Sequence, residues 1–333
     1  SVSDAGDVNG DGIDDILVSA FGANPAGRTS AGETYVTFGQ TEGFADTIDL
    51  ADLDGTDGFA LRGISSRDQS GVSVAGGGDL NGDGYTDIVI GASEADVGNA
   101  IRQGETYVIF GHEGGFDPFV ELSDLDGTNG FVINGARFFD ESGAAVSFAG
   151  DVNGDGFDDI IISAKRADPN DLSSAGEVYL VFGKADGFES QLELIKLDGT
   201  TGVTFGGLYE GAHTGVAVSS AGDVNADGID DFIIGSNFAD INGITNASQS
   251  YIIFGWRPEQ AVMREGSQAG QTIHGSDFDD YLSGLGGDDI LIGGGGNDTL
   301  IGGPGADELR GGAHYDRVAY YNSPIGLLAD LQS

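Results

Sequence analysis

The sequence predicts an all-β protein made of two kinds of repeat, and three observations support this prediction. An acidic motif of nine residues occurs four times, and its copies start 72 residues apart at Asp7, Asp79, Asp151 and Asp223. Apolar runs such as Ile16 to Val18 follow the copies and have the length of strands. Glycine-rich nonapeptides then fill residues 272–318. Fixed periods of this kind indicate structural units that are built several times.

Each acidic motif predicts a calcium site. Carboxylate or amide oxygens occupy positions 1, 3, 5 and 9, and the seventh residue offers a backbone carbonyl. An all-oxygen set of this density favours Ca²⁺ over Zn²⁺ or copper. Glycine at position 6 allows the sharp reversal of the loop. The predicted ligands are Asp7, Asn9, Asp11, Ile13 and Asp15; Asp79, Asn81, Asp83, Tyr85 and Asp87; Asp151, Asn153, Asp155, Phe157 and Asp159; and Asp223, Asn225, Asp227, Ile229 and Asp231.

An EF-hand is the first alternative for these motifs. It requires a bidentate Glu at position 12, where this sequence has Val18, Ile90, Ile162 and Ile234. Those residues belong to the apolar runs, so the predicted loop joins two strands. A solvated acidic turn is the second alternative, and four copies in register argue against it.

The rest of each 72-residue unit predicts about four antiparallel strands. A Phe-Gly pair, first seen at Phe38-Gly39, ends an alternating strand in every unit. A turn-rich stretch such as 53–59 follows, then a short strand such as Phe59 to Leu61, then a segment such as 70–79 that leads into the next acidic loop. Antiparallel units of this kind that repeat radially are the blades of a β-propeller.

The Phe-Gly pair, the DxNxDGxxD loop and the strand after it resemble the FG-GAP repeat of the integrin alpha-chain N-terminal β-propeller over residues 1–255. The Gly-Ala-Pro half of that motif differs here, for example at Ser19-Ala20-Phe21. The resemblance implies a seven-bladed ring. Inner strands are predicted at 1–6, 72–78, 144–150 and 216–222, which makes four blades, the last without its outer strand. We therefore expect the native protein to carry further blades upstream.

A second repeat follows a predicted linker at 256–271. The middle three of its five nonapeptides match the pattern G-G-x-G-x-D-x-U-x closely, and the repeat resembles the RTX (hemolysin-type) calcium-binding repeat, which implies a parallel β-roll over 272–318. The predicted ligands are nine residues apart, at Asp280, Asp289, Asp298, Asp307 and Asp316. Two nonapeptides make one coil, so the predicted shared pairs are Asp280 with Asp298, Asp289 with Asp307, and Asp298 with Asp316. The predicted core residues are Leu282, Ile290, Leu291, Leu300 and Leu309.

The regular aliphatic position argues against the alternative of a flexible Gly/Asp-rich linker. Residues 319–333 are assigned to a C-terminal extension. Together the two repeats predict about four calcium ions in the propeller and about three in the roll.

Composition fits a calcium-dependent fold outside the cell. Thirteen basic and 55 acidic side chains give a formal charge of −42, and there is no cysteine for a disulfide. Bound cations would relieve the self-repulsion. Nucleic acid and anionic membranes are poor partners for such a chain, and no apolar run has transmembrane length. We expect an extracellular or cell-surface protein, bacterial, exported in one step by a signal outside this chain.

No catalytic motif is recognisable in the sequence. It has no G-x-S-x-G, H-E-x-x-H or phosphate-binding loop, and His112, His213, His274 and His314 stand singly. Glu33 recurs as Glu105 and Glu177, and a residue repeated in each blade serves the blade. The prediction is a non-catalytic protein.

Positions that differ between copies fall in the loops at the end of the blades opposite the calcium loops, because turns of antiparallel strands alternate between two ends. This predicted recognition face contains Arg28, Arg67, Arg102, Phe138, Phe139, Lys165, Arg166, Tyr209 and His213. The resemblance to integrins also implies ligand binding opposite the calcium loops, whereas ordinary loop variability is the alternative.

Three functions remain open. The first is a secreted adhesion or recognition module that binds an extracellular protein or a glycan. The second is a surface-layer or matrix component whose copies assemble through calcium. The third is an extracellular enzyme or an accessory domain of one.

Overall fold

The protein is described by a computed structural model that covers residues 1–41, 43–240, 244–319 and 328–330. It confirms the predicted all-β class: four mainly antiparallel sheets are followed by two parallel sheets. The described residues contain only short 3₁₀ helices, at Pro25–Gly27, Leu50–Asp52, Leu122–Asp124, Pro169–Asp171 and Leu194–Lys196.

The first two sheets repeat one antiparallel order of strands. The first blade consists of β1 (Val2–Gly6), β2 (Asp15–Ala20), β3 (Glu33–Thr37) and β4 (Gly58–Arg62). The second consists of β5 (Ser73–Gly78), β6 (Asp87–Ala92), β7 (Glu105–Ile109) and, after the short strand β8 (Phe119–Glu121), β9 (Gly130–Asn134). In each blade the acidic loop joins the first strand to the second, as the sequence predicts.

The third and fourth sheets continue the order. The third blade is β10 (Ser142–Gly150), β11 (Asp159–Ala164), β12 (Glu177–Val181) and, after β13 (Gln191–Glu193), β14 (Gly202–Gly206). The fourth has three strands, β15 (Ala217–Gly222), β16 (Asp231–Ser236) and β17 (Gln249–Ile253). The missing outer strand agrees with the sequence, while the seven-bladed ring stays a prediction.

Two short strands tie neighbouring blades together. Strand β8 leaves the second blade and pairs in parallel with β4 of the first, and β13 leaves the third blade and pairs in parallel with β9 of the second. The guanidinium of Arg62 lies 3.5 Å from the ring centre of Phe119 at the first tie. The Asn134 amide donates to Glu193 Oε1 at 2.9 Å at the second. The first two sheets therefore have five strands.

The cores lie between successive blades, because strands alternate their side chains between two faces. Phe59 and Tyr107 from blades one and two are fully buried in a shared cluster, as are Phe131 and Ile162 from blades two and three in the next. The inner strands β5 and β10 pack against each other. Strand β15 is mostly exposed, so the described blades leave one inner-strand surface uncovered.

The C-terminal part is a parallel solenoid. One sheet contains β18 (Met263–Glu265), β20 (Tyr281–Ser283), β22 (Thr299–Ile301) and β24 (Arg317–Ala319), and the other contains β19 (Thr272–His274), β21 (Ile290–Gly294), β23 (Glu308–Gly312) and β25 (Leu328–Asp330). Neighbouring strands are 18 residues apart except for the pair β23 and β25. Two nonapeptides per coil is thus the observed arrangement.

A column of aliphatic residues fills the solenoid. Ile273, Leu282, Leu291, Leu300 and Leu309 are all fully buried. Ile290 was also expected there but is only partly buried, since it precedes the inward-facing Leu291 and strand neighbours point to opposite faces.

Two segments outside the nonapeptides also have strand pairs. Strand β18 lies inside the segment 256–271 that the sequence analysis assigns to a linker, and it pairs with β20. In the predicted C-terminal extension, β25 pairs with β23, whereas 320–327 and 331–333 lie outside the described residues. The described part of the chain contains no helix with the length and apolar character that crossing a membrane requires.

Candidate calcium centres and recognition face

The first acidic loop already has the hydrogen bonds that shape an ion-binding loop. The Asp7 carboxylate accepts from the Asp11 N–H at 3.0 Å and the Gly12 N–H at 2.8 Å. The Asn9 side-chain oxygen accepts from the Asp11 N–H at 2.9 Å. Asp11 accepts from the Ile13 N–H at 2.9 Å. The loop is therefore wound around the side chains at positions 1, 3 and 5, and the second and fourth loops repeat this pattern.

The aspartate at position 9 has a different surrounding. Both oxygens of Asp87 accept backbone N–H groups, from Leu80 at 2.8 Å and from Gly111 at 3.0 Å. The same pair of bonds, to the second loop residue and to the glycine of the Phe-Gly pair, holds Asp15, Asp159 and Asp231. These carboxylates are buried. They fix the base of each loop.

Carboxylates crowd one another in these loops. Burial, followed by the nearby charge of Asp83, raises the pKa of Asp79 to about 6. Burial and the charge of Asp155 raise the pKa of Asp151 to about 7. Asp159 lies near Asp151 and Asp155, and burial together with the charges of these two residues raises the pKa of Asp159 well above the ordinary value. A bound cation would remove this repulsion.

Side chains at position 7 do not point into the loops. The ring of Tyr85 occupies the space in which a side chain at Gly10 would lie, and Phe157 stands in the same relation to Gly82. Only the backbone carbonyls of Ile13, Tyr85, Phe157 and Ile229 are thus available as the predicted ligands. In the part of the chain that the structure describes, no three acidic or histidine side chains converge as a metal-holding group. The three aspartates of a loop are therefore not gathered around one point by their side chains alone, and a complete calcium set would also need amide and carbonyl oxygens.

In the solenoid the predicted aspartates stack along the axis. Asp298 Oδ1 accepts the Asp280 N–H at 2.9 Å, Asp307 Oδ1 accepts the Asp289 N–H at 3.2 Å, and Asp316 Oδ1 accepts the Asp298 N–H at 3.0 Å. The three pairs expected at 18-residue spacing are thus brought together.

The second oxygen of four of these carboxylates has no partner. Oδ2 of Asp289, Asp298, Asp307 and Asp316 is buried and accepts no hydrogen bond within the described residues. Each Oδ2 occupies the space in which a Cβ would lie at the first glycine of its repeat, for example Gly284 beside Asp289. The carbonyl oxygen of Gly302, one coil further, faces the same space. Buried anionic oxygens without donors are costly, and the oxygen set fits Ca²⁺.

Asp280 differs from the other four. Its Oδ2 accepts the Ser276 N–H at 2.6 Å and the Ser276 hydroxyl at 3.0 Å. The equivalent positions of the other four repeats have no hydroxyl, being Leu285, Gly294, Gly303 and Gly312. Oδ2 of Asp280 therefore accepts hydrogen bonds from protein groups, unlike Oδ2 of the other four aspartates.

The loops predicted to form the recognition face do lie together. The Phe139 N–H donates to Ile101 O at 3.1 Å and the Glu141 N–H donates to Arg102 O at 3.2 Å. Blades one and three have equivalent bonds, for example from the Arg67 N–H to Thr29 O at 2.9 Å. Residues 241–243, within the corresponding loop of the fourth blade, lie outside the described residues.

Three of the predicted cations gather around one buried carboxylate. Glu141 is contacted by Arg102 Nη2 at 2.6 Å, Arg166 Nε at 3.1 Å and Lys165 Nζ at 3.5 Å. Burial and the positive charges of Arg166 and Lys165 lower the pKa of the nearby His213. Phe138 and Phe139 are 63% and 54% exposed, respectively. We call Arg102, Phe138, Phe139, Lys165 and Arg166 the Glu141 cluster.

The other predicted recognition residues lie apart from this cluster. Arg28 forms an ion pair with Glu121 at 2.6 Å, Arg67 is exposed in blade one, and Tyr209 is half-buried in the loop after the third blade's outer strand. The anchoring role of the Phe-Gly glycines is not evident from the acidic motif itself. The aspartate at position 9 and this glycine are 24 residues apart in every blade, as Asp15 and Gly39 are in the first. This constant spacing is the signal in the sequence that indicates the role.

Comparison with known proteins agrees with the geometry. The FG-GAP repeat model matches residues 1–37, 70–109, 142–181 and 214–253. The model of the RTX calcium-binding nonapeptide repeat matches residues 265–300 and 292–318. RTX nonapeptides imply calcium binding, and both repeats are typical of extracellular proteins. Together they support a calcium-binding module of the adhesion type.

Similar proteins come from two functional groups. Phosphatidylinositol-glycan-specific phospholipase D of Bos taurus is 33% identical over 161 residues, 48% of this chain and 18% of that protein. Integrin alpha-4 of Xenopus laevis is 29% identical over 217 residues, 64% of this chain and 18% of that protein. Integrin alpha-PS5 of Drosophila melanogaster is 31% identical over 159 residues, 47% of this chain and 14% of that protein. The chain thus spans less than a fifth of each relative.

Proposed function

Because this chain carries four FG-GAP repeats followed by RTX calcium-binding nonapeptide repeats, we propose that it is a secreted, calcium-rigidified module that binds an extracellular protein or a glycan without catalysis. The observation that carries the calcium part is the row of buried, partnerless Oδ2 atoms in the solenoid. Asp289, Asp298, Asp307 and Asp316 would hold ions together with glycine carbonyls of the next coil. Positions 1, 3, 5 and 9 of the acidic loops, with the carbonyl of position 7, would hold about four more.

Calcium supplies the positive charge that this acidic chain lacks. Its own residues then fix the loops, orient the carbonyls and hold the blades in register. The ions would replace disulfides as cross-links in a chain that has no cysteine. Secretion by bacteria in one step is part of the same proposal and is supported by the RTX repeats.

The Glu141 cluster is the proposed contact surface for the partner. It offers exposed phenyl rings next to a group of cations on the face opposite the calcium loops. Aromatic rings stack on sugar or apolar groups, and arginine pairs with carboxylates. Positively charged groups are rare in this protein, and the three that pair here with Glu141 and Glu94 leave a net positive charge that favours ligands with acidic or acceptor-rich surfaces.

The test is binding of the full chain to arrays of glycans and extracellular proteins in millimolar calcium. We expect to find a ligand whose binding to the wild-type chain is abolished by chelator. In calcium, the double variant Arg166→Glu, Phe138→Ala should also fail to bind it. Arg310→Glu, which changes an exposed solenoid arginine, is the charge control. The proposal would be contradicted if the ligands bound as tightly in chelator as in calcium. It would also be contradicted if they bound the double variant as tightly as the wild-type chain.

An accessory role in an extracellular enzyme is the second candidate. It is supported by the similarity to phosphatidylinositol-glycan-specific phospholipase D over 161 residues. If this candidate is correct, the recognised ligand will be the substrate of a catalytic domain, and phosphoester or polysaccharide turnover by the parent protein will identify it.

A further inference from the structure

The third acidic loop receives most of the hydrogen bonds that the solenoid side of the molecule makes to the propeller. The Trp256 N–H donates to Val152 O at 3.0 Å, and the His274 N–H donates to Gly154 O at 2.9 Å. The Gln271 side-chain amide donates to Gly156 O at 2.6 Å. Three carbonyls of one loop are therefore acceptors for the segment that enters the solenoid and for its first coil.

Arg264, the middle residue of β18, is the centre of this contact. Its guanidinium donates to Asn153 O at 2.8 Å, to Gly154 O, and to His274 O at 2.5 Å. One side chain thus holds propeller and solenoid carbonyls at once. Its positive charge also acts on the carboxylates of Asp151 and Asp155.

The third loop is covered, whereas the first is open. Asn153 and Gly154 are buried, while Gly10 and Gly12 in the first loop are exposed. A Cβ at Gly156 would lie 3.0 Å from Ile273 Cγ1, yet one at Gly12 would meet nothing within 4 Å. Among the described residues, no hydrogen bond from the solenoid reaches the loop at 7–15. The four loops are therefore not equivalent.

We propose that calcium in the loop Asp151–Asp159 and docking of the solenoid are thermodynamically linked, with Arg264 as the positioning residue that connects them. This inference rests on the proposed calcium function of the loop. An ion on the inner side of the loop would fix its carbonyls, and the outward-facing carbonyls of Asn153, Gly154 and Gly156 are the acceptors for docking. Linkage is reciprocal, so the docked solenoid in turn raises the calcium affinity of this loop.

Electrostatics contributes to docking. Docking places acidic loops against a segment that continues into acidic repeats, and positive charge at the contact lowers their repulsion. Arg264 supplies one fixed positive charge there. Arg257 supplies a second, since it donates to Asp227 O in the fourth loop at 3.0 Å. Calcium supplies the remainder only when it is bound.

Hydrogen exchange of the full chain in calcium, read by mass spectrometry, tests this linkage. We expect Asp155→Ala to speed exchange in residues 262–275 about tenfold and Asp11→Ala to leave that segment unchanged. We expect Arg264→Gln to speed exchange in 151–159 but not in 7–15. Arg310→Gln, an arginine of the solenoid paired with Glu308, is the matched control.

The outcomes separate this inference from the proposed function. If calcium protects 7–15 and 151–159 but Asp155→Ala leaves 262–275 unchanged, the linkage is refuted while the calcium sites stand. If Asp155→Ala prevents folding, hydrogen exchange of the Asp155→Asn and Arg264→Gln variants tests the linkage in its place. If calcium protects no loop in the wild-type chain, the proposed function fails and the linkage fails with it.

Discussion

At the scale of single residues, Asp87 shows how one carboxylate can support two parts of a blade. It is fully buried, it accepts the Leu80 and Gly111 N–H groups, and burial raises its pKa well above the ordinary value. Asp83 in the same loop is exposed. The motif alone could not separate these roles, because a ligand and a structural acceptor require the same residue type.

Substitution of these two residues should therefore give different results. We expect Asp87→Ala to lower the free energy of unfolding by about 2 kcal/mol or more both in calcium and in chelator, because two buried N–H groups lose their acceptors. Asp83→Ala should lower it in calcium alone. Urea unfolding of both variants under both conditions measures this. No loss from Asp87→Ala in chelator would show that position 9 has no structural role of its own.

The solenoid aspartates predict an inverted pH dependence. Burial raises the pKa of Asp289 to about 7 and that of Asp298 to about 6. Raised values mean that the folded, metal-free chain binds protons more tightly than the unfolded chain. Their contribution to stability is complete below about pH 4 and is lost as the pH rises through 6 to 7. In chelator the melting temperature of the solenoid should fall between pH 5 and pH 8.

Calcium should reverse that trend, because the ion replaces the protons and binds best to ionised carboxylates. Circular dichroism melts at both pH values, with and without millimolar calcium, provide the measurement. A melting temperature in chelator that rises with pH would contradict the assignment of these two residues.

At the scale of elements, neighbouring acidic loops are connected to each other. The Asp79 N–H donates to Asp158 Oδ2 at 2.8 Å, and the Asp158 N–H donates to Asp79 O at 3.2 Å. The third and fourth loops share the same pair of bonds through Asp151 and Asp230. From the sequence alone, each loop looks local to its blade. That view predicts that the stability losses caused by substitutions in different loops are nearly additive.

The shared bonds predict coupling between adjacent loops. We expect the stability losses of Asp83→Ala and Asp155→Ala in calcium to deviate from additivity by at least about 0.5 kcal/mol. The stability losses of Asp11→Ala and Asp227→Ala should be additive, because their loops are not neighbours in sequence. A double-mutant cycle for each pair decides the matter, and strict additivity in the adjacent pair would show that the loops are independent.

Much of this arrangement could be predicted, because it repeats. The 72-residue period gave the acidic loops and the inner strands, and the nine-residue period gave the stacked aspartates. Strands β8 and β13 have only three residues each and too little alternation to be recognised. Strand β18, at Met263–Glu265, is preceded by Val262, whereas an aspartate precedes each strand from β20 to β24, so the sequence gives no sign that the solenoid begins there.

At the scale of the whole molecule, the contact between propeller and solenoid could not be predicted. Its acceptors are backbone carbonyls, which every residue has, and Arg264 is unremarkable in sequence. The open edge of the fourth blade, in contrast, was predictable from a missing strand. Within the described residues β17 has a partner on one side only, and Ile252 on it is 51% exposed.

An open edge of this kind favours association of copies. We expect these 333 residues to self-associate with rising concentration, and we expect Ile252→Lys to reduce this because a charge on an edge strand opposes pairing. Ile101→Lys changes an isoleucine that is 52% exposed in a loop and serves as the control. Sedimentation velocity compares the three proteins. Equal association of all three would place the contact elsewhere.

The short parallel ties also determine how the protein would respond to mechanical force. A pull along the chain would load the pair of β4 with β8, and the pair of β9 with β13, in shear, so that all their hydrogen bonds resist together. The outer strand β14 of the third blade has no such tie in the described residues. Under tension, separation would therefore begin between the third and fourth blades, which are joined by the paired bonds of Asp151 and Asp230 and by a shared core.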